Sequence, residues 1–166
     1  MRDEGVELLI PETYGAETVR RKTKDRHRWD REQVFASIAE NFSSEAASQL
    51  RDFATWSEDR GAELITGVGK NPTLNAWFPV GEGRPRVWYL GSNDALSIIW
   101  DSIRKGAGNG AALRLLATLR TQAALATRLV DAESKSDSSF PITLLASDPE
   151  AFDVLKSGIE QLVTPF

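Results

Sequence analysis

The chain has 166 residues, of which 41% are hydrophobic and 27% charged, and it carries a net charge of −4, a single histidine and no cysteine. This length suits one domain with a substantial core, and no apolar run approaches the roughly 20 residues that a membrane-spanning helix needs. The lack of cysteine excludes disulfides, thiolate nucleophiles and cysteine metal sites. We therefore expect a cytoplasmic protein that does not associate with membranes.

The N-terminal residues differ in character from the rest of the chain. Residues 5–10, GVELLI, have the apolar pattern of a strand. Residues 20–31 then carry seven basic side chains against two acidic ones, and such an excess can form a basic patch on an acidic protein. We predict an N-terminal strand and basic arm or linker over residues 1–28, followed by a single domain over residues 29–166. His27 lies in the charged run without catalytic neighbours, which favours a solvated residue.

Two helices are predicted at the start of the domain. Asp30 and Gln33 have the types and spacing of a capping box, and an apolar stripe at helical spacing follows them. Ser43 or Ser44 can cap a second helix. Gly61 is a natural end for that helix, because glycine accepts a left-handed conformation without a Cβ clash.

Four strands are predicted next, over about residues 62–67, 73–79, 85–91 and 95–100. Glycine-containing turns separate them, and the connections are too short for parallel crossovers. The sequence therefore predicts an α+β fold, in which an antiparallel sheet of about four strands (62–100) packs against N- and C-terminal helices.

The C-terminal part of the chain predicts two further helices and the segments between them. A helix rich in alanine and leucine is expected over about residues 110–130, where its apolar circumference indicates burial on two sides or a partner surface. A loop without core residues is expected over 134–139, and an extended apolar run over 140–145. Asp148 and Pro149 have the types preferred at the N-cap and first position of a last helix.

Basic and aromatic side chains of the strands and turns are the candidate ligand contacts. The turn GVGKN at 67–71 lacks the spacing and the hydroxyl of a phosphate loop, so we interpret it as a tight turn whose lysine is placed to contact an anion. The strand sequences AWF (76–78) and VWY (87–89) resemble sheets that stack single-stranded bases, although strand aromatics more often belong to the core. The candidates for nucleic-acid or anion binding are Lys70, Arg84, Arg86, Arg26 and Arg28.

An acid-x-lysine sequence, Glu133-Ser134-Lys135, invites comparison with metal-dependent nucleases. Such enzymes need carboxylates held on a rigid scaffold so that they can bind magnesium. Here the residues lie in a serine-rich segment, which favours a solvated loop. We assign no catalytic residue, no metal ligand and no cofactor.

Five short motifs follow one another along residues 29–163. They are WDRE at 29–32, a leucine, tryptophan and glycine within 50–61, GVGK at 67–70, FPITLL at 140–145 and DPEA at 148–151. Together they resemble an uncharacterised bacterial domain family that occurs alone or beside restriction-nuclease-like or other DNA-processing domains. The resemblance implies an association with DNA metabolism or defence, and it brings no catalytic residue with it.

These observations favour a non-catalytic binding or accessory module whose partner is nucleic acid or a DNA-processing protein. Two alternatives stay open. One is a metal-dependent, nuclease-like hydrolase that uses acidic residues near the sheet, which would require convergent carboxylates. The other is a self-associating structural domain, such as a homodimer.

Overall fold

The computed structural model describes residues 28–164. These residues form seven α-helices and one antiparallel sheet of five strands, so the predicted α+β fold is confirmed with one strand more than expected. The predicted strand at residues 5–10 and the basic arm up to residue 27 lie outside the described residues.

The elements follow the chain in the order of their numbers within each class. The first half contains α1 (Arg31–Asn41), α2 (Ser44–Asp59), β1 (Glu63–Thr66), β2 (Thr73–Trp77), β3 (Arg86–Gly91) and β4 (Ala95–Ile98). The second half contains α3 (Trp100–Ala107), α4 (Asn109–Leu119), α5 (Ala123–Ala126), β5 (Ser138–Pro141), α6 (Ile142–Ser147) and α7 (Pro149–Val163).

The predicted ends of the first two helices are confirmed. Asp30 accepts a hydrogen bond from the Gln33 amide at 2.8 Å, and the Gln33 side chain accepts one from the Asp30 amide at 2.8 Å. Ser43, rather than Ser44, caps α2 by accepting a hydrogen bond from the Ala46 amide at 3.0 Å. Gly61 follows α2 with a φ of +92°, the conformation for which glycine is favoured.

The sheet is a meander in which each strand pairs with its neighbours in sequence, in the order β1-β2-β3-β4-β5. The fifth strand was not predicted. The loop expected at 134–139 is wrong for Ser138 and Ser139, which belong to β5, and the extended run expected at 140–145 is correct only for Phe140 and Pro141. Residues Ser138–Pro141 pair with β4, and a helix then begins at Ile142. Phe140 lies opposite Leu96, and both side chains are fully buried. Pairing with a distant strand therefore decides the conformation of this segment.

The long helix predicted over 110–130 is interrupted after Leu119. Thr121 Oγ1 donates a hydrogen bond to the Thr118 carbonyl at 2.7 Å, and Gln122 Oε1 accepts one from the Leu125 amide at 2.9 Å. Such side-chain bonds to the backbone compete with those of a continuous helix. The predicted strand 95–100 is also shorter, because Trp100 opens helix α3.

The last helix begins with proline at its first position, as predicted. Asp148 occupies the N-cap position but makes no capping hydrogen bond with its side chain. Its Oδ2 instead accepts a hydrogen bond from Gln122 Nε2 at 2.6 Å. The carboxylate thus ties the start of α7 to the start of α5.

One face of the sheet, which we call the inner face, carries the core. Its two cross-strand rows are Thr66, Leu74, Leu90, Leu96 and Phe140, and Leu64, Ala76, Trp88, Ile98 and Ser138. Helix α2 covers this face, where the Phe53 ring lies 5.4 Å from that of Trp88 and 5.6 Å from that of Phe152 in α7. Helices α2 and α7 therefore meet at one aromatic cluster, which also includes Trp88 of the sheet.

Helix α4 is part of the same core rather than a fully exposed surface. Its Leu115, Leu116 and Leu119 are buried, whereas Leu113 is 44% exposed. Gly158 of α7 lets the two helices approach closely, since a Cβ there would lie 2.7 Å from the Leu115 Cδ1. Burial within the domain accounts for most of the apolar character of this helix.

Two tryptophan N–H groups are buried within the core, and each donates to a buried serine hydroxyl. Trp88 Nε1 lies 3.1 Å from Ser57 Oγ on α2, and Trp100 Nε1 lies 2.8 Å from Ser138 Oγ on β5. All four residues are less than 5% exposed. A buried donor without a partner is costly, so these bonds restrict how the helices can sit on the sheet.

We predict that Ser57→Ala lowers the free energy of unfolding by about 1–3 kcal/mol, because it leaves the Trp88 N–H buried without an acceptor. Urea denaturation followed by tryptophan fluorescence measures this change. The control is Ser48→Ala, since Ser48 is an exposed residue of the same helix and its replacement should cost less than about 0.5 kcal/mol. Equal effects of the two substitutions would contradict the role of the Trp88 bond.

Candidate functional site

The face of the sheet opposite the core carries a polar and aromatic row. The register aligns Ile65, Asn75, Tyr89, Ser97 and Ser139 across the five strands. Ile65 is 38% exposed, Asn75 and Tyr89 are half-buried, and Ser139 is exposed. We call this surface, together with Trp77 and Arg86, the open face.

Four residues of β2 and β3 form the centre of the open face, and we call them the quartet: Asn75, Trp77, Arg86 and Tyr89. Asn75 lies opposite Tyr89, and a register shift after Ala76 places Arg86 opposite Trp77. Arg86 Nη1 donates to Asn75 Oδ1 at 2.9 Å. Trp77 and Tyr89 therefore occupy the other diagonal, a separation of roughly 7–8 Å between backbones.

The quartet answers a question that the sequence left open, namely which strand aromatics belong to the core. Trp88 is fully buried on the inner face, whereas Trp77 and Tyr89 are half-buried on the open face. Asn75 was not among the predicted contacts, although its place between Thr73 and Trp77 in the alternation of β2 could have indicated an outward side chain.

Arg84, a predicted contact, borders the quartet. Its Nη2 lies 3.5 Å from a carboxylate oxygen of Glu63, which is opposite Trp77 in the sheet. The two side chains are 49% and 58% exposed, and ion pairs with this exposure contribute little stability. Arg84 is thus free to exchange Glu63 for another anionic partner.

Two other predicted contacts, Lys70 and Arg28, lie at the turn between β1 and β2. Arg28 forms an isolated antiparallel bridge with Val68, and Trp29 Nε1 donates to the Gly69 carbonyl at 3.0 Å. Both basic residues are exposed. The structure therefore separates the candidates into two groups, one at the quartet and one at this turn, while Arg26 lies outside the described residues.

The connection that carries Arg84 is held against α3 by a close backbone approach. A Cβ on Gly83 would lie 2.1 Å from the Gly106 carbonyl oxygen. The Arg86 amide also donates to Ser102 Oγ at 2.8 Å. These contacts fix the backbone on both sides of Arg84.

We predict that Gly83→Ala destabilises the domain by about 1–3 kcal/mol, because backbone atoms must move to make room for the methyl group. Gly110→Ala is the matched control, since the nearest atom to its new Cβ is Arg114 Nη1 at 3.5 Å, an ordinary contact. Thermal denaturation compares the two variants with the wild type. A Gly83→Ala protein as stable as the Gly110→Ala control would show that the close approach does not constrain the loop.

The Glu133-Ser134-Lys135 segment is exposed, as the sequence-based interpretation expected, but arginine side chains hold it in place. Arg120 binds the Glu133 carboxylate and donates to the Leu129 carbonyl at 2.9 Å. Arg104 binds the Lys135 carbonyl and donates to that of Glu133 at 3.3 Å. Two arginines from neighbouring segments therefore hold this loop.

Glu133 is used in this ion pair rather than in a metal site. The hydrogen bond from Arg120, helped by one from the residue's own backbone N–H, lowers the pKa of the Glu133 carboxyl, and the pair in turn raises the pKa of Arg120. Within residues 28–164, no three His, Cys, Asp or Glu side chains converge as metal ligands. The convergent carboxylates that the hydrolase hypothesis required are therefore not found in this range.

We predict that Arg120→Gln returns the pKa of Glu133 towards its ordinary value, as measured by NMR titration of the side-chain carboxyl. Because the pKa is lower in the folded than in the unfolded state, the pair stabilises the fold at neutral pH, and this contribution is lost as the pH falls through the folded-state pKa. Arg128→Gln removes the same charge without breaking a bond to Glu133 and should leave the titration unchanged. An unaltered Glu133 pKa in Arg120→Gln would contradict the pairing.

In comparisons with protein-family models, curated proteins and solved structures, none matches this chain. None of the helices in residues 28–164 combines the length and apolar character needed to cross a membrane. The geometry of the open face is therefore the main basis for a functional proposal.

Proposed function

We propose that this domain is a binding module that holds single-stranded nucleic acid on the open face of its sheet. The observation that carries the proposal is the quartet, in which Trp77 and Tyr89 flank an arginine on a partly exposed face of the sheet. Aromatic side chains stack on bases of any sequence, and each stacked base contributes about 1–3 kcal/mol. Two aromatic rings on adjacent strands provide places for two bases.

Arg86 is suited to act between the two rings. Its guanidinium is held by Asn75 at 2.9 Å, so little side-chain freedom is lost when a ligand binds. It forms no ion pair within the described residues, so its charge is not neutralised by a carboxylate. A guanidinium in this position can stack on a base or form bidentate hydrogen bonds with a phosphate.

The charges around the open face suit modest electrostatic attraction. Arg84 and Arg86 lie at the quartet, and Lys70 and Arg28 lie at the turn end of β1 and β2. Two to four phosphate contacts correspond to a slope of about −1.4 to −2.8 in a plot of log affinity against log salt for a single strand. Stacking would supply the rest of the affinity.

The sequence resemblance implies an association with DNA processing, and this context is consistent with binding of nucleic acid. A module without catalytic residues of its own can deliver a single strand to a neighbouring enzyme. If nucleic acid does not bind, the alternative partner is a DNA-processing protein that contacts the domain directly.

The proposal predicts that Trp77→Leu and Tyr89→Ala each weaken binding of a fluorescein-labelled oligo-dT by about 5- to 150-fold, the equivalent of one lost stacking contact. Fluorescence anisotropy at two salt concentrations measures this affinity. Duplex DNA of equal length, tested in parallel, measures any preference for single strands. Single-stranded RNA of equal length measures any preference for DNA. Arg86→Gln should also reduce the salt slope by about 0.7.

Arg51→Gln is the matched control for charge. Arg51 lies on α2, in the helical layer, and pairs with Glu32, so its loss should leave binding nearly unchanged. Equal effects of Arg86→Gln and Arg51→Gln, or no binding at low salt, would overturn the proposal. Binding that survives the quartet variants but is lost in Lys70→Gln/Arg28→Gln would move the interface to the turn.

A further inference from the structure

A cavity of about 400 Å³ lies at the β5 edge of the sheet. Its walls come from the segment after α5 and from the loop and strand of residues 135–139. This site could not be predicted from the sequence, because it depends on β5. Its lining is mainly polar, and the residues that matter for its chemistry are Thr127, Arg128, Lys135, Asp137, Ser138 and Ser139.

Two cations line the cavity without a carboxylate partner. Neither Arg128 nor Lys135 forms an ion pair in the described part of the chain. This contrasts with Arg104 and Arg120, whose charges are used to hold the same loop. Because Arg104 fixes the Lys135 carbonyl, the backbone from which the lysine side chain extends is held in place.

A serine hydroxyl adds to the donor set. Ser138 lines the cavity but is only 4% exposed, and its Oγ accepts the Trp100 N–H at 2.8 Å on the inner face, so this hydroxyl serves the core. Ser139 is exposed, and its Oγ lies 2.7 Å from that of Ser97. Thr127 donates its proton to the Ala124 carbonyl at 2.9 Å and so offers only an acceptor.

Asp137 is the one carboxylate among these lining residues, and it limits the ligands that suit the cavity. Two cations and one anion leave a small positive charge, which suits a single phosphate better than a highly charged anion. The Asp137 carboxylate can accept a hydrogen bond from a hydroxyl or N–H of the same ligand. A nucleotide offers both groups, with its phosphate next to sugar hydroxyls and base N–H donors.

We propose that this cavity binds the phosphate group of a nucleotide. The cavity is continuous with the open face, because Ser139 belongs to both. Tyr89 and Ser139 lie on strands two apart, roughly 10 Å across the sheet, a distance that neighbouring nucleotides of one strand can span. The link to a bound strand rests on the proposed function, whereas the phosphate site itself depends only on the cavity.

The test is an NMR titration of the ¹⁵N-labelled protein with deoxythymidine 5′-monophosphate, and with deoxythymidine as the comparison. We expect the nucleotide to shift the amide signals of residues 127–139 in a saturable way, and the nucleoside to leave them in place. Arg128→Gln/Lys135→Gln should weaken nucleotide binding at least tenfold. Both side chains are exposed, so the substitutions should not disturb folding.

Lys105→Gln/Lys156→Gln is the control, because it removes the same charge from α3 and α7 and neither residue lines the cavity. Absence of shifts, equal shifts with the nucleoside, or equal losses in the two double variants would overturn the inference. The control thus separates a local phosphate site from a general effect of positive charge.

The oligo-dT measurement distinguishes this inference from the proposed function. If the cavity holds a phosphate of the bound strand, the slope of log affinity against log salt should be less steep by about 0.7 in the Arg128→Gln/Lys135→Gln protein. Nucleotide shifts without any oligonucleotide binding would support the phosphate site for a free nucleotide while rejecting the strand on the open face. Oligonucleotide binding through the quartet, without nucleotide shifts, would reject the phosphate site alone.

Discussion

The need to satisfy two buried indole N–H groups organises this domain. Trp88 can be buried in β3 because Ser57 of α2 accepts its N–H, and Trp100 can be buried at the start of α3 because Ser138 of β5 accepts its own. Each bond joins elements distant in sequence. With Trp88 committed to the inner face, the two-residue alternation of a strand sends Tyr89 outward, so the position of the candidate site follows from the core.

The parts of the fold that were predictable are those specified by neighbouring residues. The capping box of Asp30 and Gln33, the glycine after α2 and the short turns between the first four strands all act over a few residues. The fifth strand, by contrast, has a serine-rich sequence that looks like a loop. It becomes a strand because Phe140 fits opposite Leu96 and Ser138 meets Trp100, and neither contact is visible in the local sequence.

The candidate site was predictable only in part, for a related reason. Alternation shows that Trp88 and Tyr89 must face opposite sides, but it does not say which side is covered by helices. The register shift after Ala76 brings Arg86 onto the open face, and a sequence gives little sign of such a shift. The arginines that hold the Glu133 loop are likewise defined by tertiary contacts.

The position of β5 at the edge of the sheet has a further consequence for how the domain opens. Within residues 28–164 its only partner in the sheet is β4, and the two strands are separated in sequence by α3, α4 and α5. Releasing β5 would therefore break one ladder and leave the other four strands paired, which is the type of local unfolding that costs less free energy than global unfolding. Ser138 and Ser139 would leave with it, so a ligand in contact with them would also slow hydrogen exchange along this edge.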